Sequence, residues 1–160
     1  MRPERAPPLG WQPDVPESMR SLGALAKPDY LDLFTATTNA ASGKSAEDWA
    51  RVVLEGAPDH LRIAVILAQR LLLGLRLGPR RSPDYVLGWK IVDRGDSWVR
   101  IETASWMMTV SLVFKVDEAR LSMGTFVRYD RRMAALVWPP GSIIHCKLGR
   151  ALMRRALRAH

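Results

Sequence analysis

Toward the C-terminus the chain reads WPPGSIIHCKLGRALMRRALRAH, a Pro-Pro-Gly stop followed by one basic, partly apolar helix. At the 3.6-residue period, Lys147, Arg150, Arg154 and Arg158 share one stripe, and Ile144, Leu148, Ala151, Leu152 and Ala156 share the opposite arc. His145 falls in the apolar arc beside Leu148 and Leu152. A histidine in a dry site has the chemistry of a general acid–base. The same position also suits a packed histidine that bonds a backbone carbonyl. Cys146 is one helical step away, so the two cannot face each other as nucleophile and base. Cys146 reads as a buried, inert thiol.

Other constellations are missing. The three histidines (His60, His145, His160) are scattered and there is one cysteine, so no metal site and no disulfide is expected. No redox or metal cofactor is implied. Asp84 and Asp93 end strands, with no second carboxylate in register to form an acid–base pair. The net charge of +8 permits contact with nucleic acid or with an anionic membrane surface, and establishes neither. No recognition motif or interleaved aromatic series accompanies the basic stripe, so specific nucleic-acid binding is not expected.

The elements that must position His145 follow from periodicity. YLDLFTATT reads as a strand. Ser45 caps a helix to about Glu55, with Asp48 in the box position. A second helix runs from Pro58 to about Leu75. From residue 85 the period becomes two, giving YVLGWKIVD, SWVRIETAS, WMMTVSLVFKV and ARLSMGTFVRYD as successive antiparallel strands. RRMAALVW reads as a fifth strand before Pro139-Pro140-Gly141 opens the last helix. The first 28 residues hold six prolines and read as an extended arm, flexible over 1–14, ahead of one domain over 15–160.

Alternation assigns an inward, apolar face and an outward, wet one. Trp89, Ile101, Leu112, Met123 and Val127 point inward. The polar residues of that face are Thr103, Ser105, Thr125 and Tyr129, the groups available to orient an apolar guest. They serve equally as local hydrogen-bonding groups. The fold class is α+β, a curved antiparallel sheet whose apolar face is covered by helices. The N-terminus lacks the apolar stretch of a signal peptide, and residues 61–77 carry too many charges for a comfortable membrane span. A cytoplasmic protein, monomer or homodimer, is expected.

VPESMRSL, PDYLDLF, LGWKIVD, IETASWMM and WPPGSIIHCKLGRALMRRAL resemble, in order and pattern, the helix-grip superfamily of START lipid-transfer domains, birch-pollen-allergen-like proteins and polyketide cyclases. The closer resemblance is to an uncharacterised bacterial domain family grouped with it, over residues 14 to 157. The chain departs from that family in placing Cys146 after His145, where a basic residue is usual. The resemblance implies a sheet gripping a long C-terminal helix around an apolar cavity, with two shorter helices after the first strand. It implies an apolar small-molecule ligand, polyketide- or lipid-like, lined by the inward set together with Leu148 and Leu152. It further implies cyclisation, isomerisation or dehydration; the resemblance carries over no catalytic set, and the residues themselves offer His145 as acid–base and Tyr129 as hydrogen-bond donor. A non-catalytic carrier and an interaction module without an open cavity are the alternatives.

Overall fold

The computed structural model describes residues 9–39 and 41–159. The class is α+β. Eight strands form one antiparallel sheet in the order β1-β2-β8-β7-β6-β5-β4-β3. They are β1 (Leu9–Gln12), β2 (Tyr30–Thr37), β3 (Arg81–Ser82), β4 (Tyr85–Val86), β5 (Trp89–Arg94), β6 (Trp98–Ala104), β7 (Met108–Asp117) and β8 (Arg120–Tyr129). The helices are α1 (Glu17–Gly23), α2 (Ala46–Leu54), α3 (Asp59–Leu67) and α4 (Arg132–Ala159).

The period-two segments form the strands expected of them. Ile101 pairs with Leu112, Leu112 with Thr125 and Met123 with Phe34, which puts all of them on one face. Ile101, Leu112, Met123 and Val127 are buried there with Trp49 and Val53 of α2 and Leu152 and Met153 of α4. The Ser45 box forms as expected: the Asp48 amide donates to Ser45 Oγ at 3.0 Å, and the Ser45 amide to Asp48 Oδ2 at 3.4 Å. Asp supplies the reciprocal bond despite its shorter reach.

Five expectations are corrected. The predicted arm is not all extended: Leu9–Gln12 is an edge strand on β2 and Glu17–Gly23 is a helix, whereas residues 1–8 lie outside the described residues. The outward face is not all wet, because α1 covers part of it. Val15 and Met19 bury Leu33, Val113 and Phe126 in a second, smaller core. YVLGWKIVD is two strands, since Leu87 and Gly88 both take positive φ (47° and 86°), as a two-residue type I′ hairpin turn requires.

RRMAALVW, finally, is not a strand. It forms the first turns of α4, and Pro139 and Pro140 lie inside that helix. Met, Ala and Leu are good helix formers, and they carry the helix into the prolines although each proline removes one N–H donor. α3 also ends earlier than its sequence period suggests. After Leu67 the chain widens into a π-helical segment, Ala68–Leu72, where the Leu73 amide reaches back five residues to the Ala68 carbonyl.

Candidate ligand-binding site

β2 places Tyr30, Asp32 and Phe34 on the inward face by simple alternation. The sheet register sets Asp32 directly beside Thr125 of β8. α4 lies across both strands. Its Gly149 permits close approach: a Cβ there would sit 3.1 Å from the Phe34 ring. This packing brings His145 down onto Asp32.

Four side chains converge on one carboxylate oxygen, Asp32 Oδ2. The Tyr30 hydroxyl donates to it at 2.6 Å and the Trp11 indole N–H at 3.3 Å; His145 Nε2 lies at 3.2 Å and Cys146 Sγ at 4.0 Å. Thr125 Oγ1 lies 3.1 Å from the same His145 nitrogen. Asp32 is fully buried. Burial opposes its ionisation, but the His145 hydrogen bond and charge, with the Tyr30 and Thr125 hydroxyls, outweigh that and hold the carboxyl below its ordinary value. Burial, then the charge of Asp32, pushes the Tyr30 phenol far up, so Tyr30 is a permanent donor. Cys146 is half-buried rather than buried as expected, and burial raises its thiol.

An ionised carboxylate only accepts hydrogen bonds. Asp32 therefore fixes the His145 proton on Nε2, and in the neutral imidazole the basic nitrogen is Nδ1. That nitrogen has no hydrogen-bond partner among the described residues. Aromatic rings pack around the imidazole: Trp138 at 5.6 Å and Phe34 at 6.0 Å between centroids. Two buried polar atoms beside it lack a protein partner among the described residues, Asp32 Oδ1 and the indole N–H of Trp138.

His145 also lines an apolar cavity of about 80 Å³ between the sheet, the π-helical segment and α4. Among the residues expected at a ligand, Trp89, Leu112, Met123, Thr125, Leu148 and Leu152 line it with His145. Ile101 and Val127 are buried in the core outside its wall. Thr103 donates to the Arg76 carbonyl at 2.8 Å, and Ser105 accepts the amides of Met107 and Met108. Both are local hydrogen-bonding groups. Tyr129 is on the inward side but at the strand end, outside the cavity wall. Its amide donates to Asp29, and burial, then the Asp29 charge, raises its phenol. Tyr30 is the tyrosine that donates to the buried carboxylate, and neither tyrosine lines the cavity.

Sequence reasoning missed Asp32, Tyr30 and Trp138. The signal for Asp32 was present: an aspartate in the middle of YLDLF, where strands disfavour Asp and parity forces it inward. Trp138 was masked by assigning its segment to a strand.

No family model, no curated protein and no solved structure matches the chain. Among the described residues, no group of three potential ligands could hold a metal ion, and no helix is long and apolar enough to cross a membrane.

Proposed function

We propose that the protein is a helix-grip-like domain that takes an apolar small molecule into this cavity and moves a proton on it, as cyclisation, isomerisation and dehydration all require. One observation carries the reading: His145 stands in a largely apolar cavity wall with its Nε2 proton held by a buried, ionised aspartate. Nδ1 accepts a proton from an acidic C–H of the ligand, the C–H pair of electrons moving into the ligand's π-system. Asp32 stabilises the imidazolium so formed. Nδ1–H then returns the proton to another carbon, or to a departing hydroxyl that leaves as water. The unpartnered Trp138 N–H offers a hydrogen bond to a carbonyl oxygen on which negative charge develops.

Size restricts the ligand. An apolar cavity of about 150 Å³ encloses benzene, and this one is smaller. A polyketide- or lipid-sized guest needs the Ala68–Leu72 segment to move outward. π-helical turns occur frequently at functional sites, and this one carries Leu72 on the cavity wall.

The test begins with native mass spectrometry of protein purified from its own host. A co-purifying apolar ligand is expected, and hydrogen exchange at Ala68–Leu72 should change on its removal. With a turned-over ligand in hand, His145→Ala lowers turnover by roughly 10²-fold or more, and Arg154→Ala, on the exposed stripe, leaves it unchanged. A carrier is the second reading, favoured by the scarcity of polar groups on the wall. It is the outcome if ligand is bound and His145→Ala alters neither its structure nor its release.

A further inference from the structure

The two segments that flank the cavity mouth share a composition found nowhere else in the chain. Residues 60–83 and 131–160 together hold twelve of the 24 basic residues and none of the 16 acidic ones. Elsewhere twelve basic residues face all sixteen acids. Apart from Asp59, which opens α3 and pairs with Arg62, the positive excess of the protein therefore resides on α3, the π-helical segment with the loop after it, and α4.

The same segments expose apolar side chains. On α3 and the π-helical segment, Ile63, Leu67 and Leu71 follow one another at four-residue spacing, and Leu71 is 80% exposed. On α4, Leu136 (72% exposed) and Ile143 lie in one row with Arg132 and Lys147, all of them exposed. The two segments pack against each other through their other faces, where a Cβ on Gly141 would touch Leu72 and Leu73. Trp106, 58% exposed, stands beside Gly74 at the end of the π-helical segment. Arg70, Arg76 and Arg80 are exposed and form no ion pair among the described residues.

We infer that this rim docks on the surface of an anionic lipid bilayer, with the apolar row at headgroup level and the arginines on lipid phosphates. Apolar side chains interleaved with unpaired cations, without acids, match that surface on both counts, and an exposed tryptophan suits the interface. The inference rests on the exposed surface alone and stands whether or not the cavity is catalytic.

Sedimentation with phosphatidylcholine vesicles, with and without phosphatidylglycerol, tests it on the full chain. Binding is expected only with the anionic lipid and should fall as salt is raised. Arg70→Glu with Lys147→Glu should weaken partitioning about ten-fold or more, as should Leu71→Ser with Ile143→Ser. Arg120→Glu, at the far end of β8, serves as the control and should bind as the wild type does. The inference is overturned by absence of binding to anionic vesicles at low salt, or by equal binding of all variants. It is also overturned if the Leu71 and Ile143 substitutions instead abolish a dimer in light scattering, which would make a second copy the occupant.

Discussion

At the scale of residues, the centre of the molecule is a buried charge. Asp32 is held ionised by donors on three elements: Trp11 on β1, Tyr30 beside it on β2, and His145 on α4. Its folded pKa lies below the unfolded value of about 4, so its stabilisation is fully present above that pH and lost as pH falls through the folded value. Asp32→Asn should therefore cost roughly 2 kcal/mol at neutral pH, the scale of losing charge-assisted hydrogen bonds, and less at an acidic pH below the unfolded value of about 4. Urea unfolding of both proteins at the two pH values measures this; an equal gap at both would mean that Asp32 is not the ionised partner of His145. Helical phase was enough to place His145 at the core. It could not supply Asp32 or Tyr30, because a strand read for its apolar residues treats one aspartate as an exception. Tyr30 and Tyr129 share the inward parity, and only the three-dimensional path of β2 separates the tyrosine that touches Asp32 from the one that does not.

At the scale of elements, alternation predicted the sheet's register from residue 98 to 129, since a buried face leaves a strand no freedom to slip. The helices were read less well. Pro139-Pro140-Gly141 looks like a beginning, yet seven helical residues precede the first proline, and neither proline's effect depends on sequence alone. α1 was invisible for a related reason: its seven residues bring one buried apolar side chain, Met19, and the partly buried Leu22 to a separate core. That small core supplies a prediction. A Cβ on Gly23 would come within 2.8 Å of the buried Phe126 ring, so Gly23→Ala should destabilise the protein by about 1–3 kcal/mol, the usual cost of overpacking. Chemical denaturation reads it directly. An unchanged midpoint would mean that α1 is free to lift off the sheet.

At the scale of the whole molecule, charge is segregated. The outward side of the sheet carries mixed pairs such as Arg100 with Glu102 and Arg128 with Asp130, whereas the exposed faces of α3 beyond Asp59, of the π-helical segment and of α4 carry basic residues alone. Net charge read from the sequence is a single number and hides this division; placing residues 60–83 and 131–160 around one mouth exposes it. Nucleic acid would meet the same cations without a recognition element. DNA affinity should accordingly be non-specific and decline steeply between low and physiological salt, as a filter-binding titration would show. Sequence-selective binding that survives physiological salt would contradict this.

β2 lies between β1 and β8, so the second strand to be made waits for the last. On the ribosome, the β1–β2 hairpin emerges with one edge unpaired, and pairing between distant segments is slow to form. The carboxylate of Asp32 waits longer still, because His145 leaves the tunnel after every strand is complete. Completion of the fold thus waits for α4. A chain stopped after Asp130 has the whole sheet in sequence but no α4 to shield or compensate that charge, and it should be cleaved readily by protease where the full chain resists. A nascent chain of this design depends on α4 for a stable interior, and a chain that stops short of it is a substrate for degradation rather than a partly working protein.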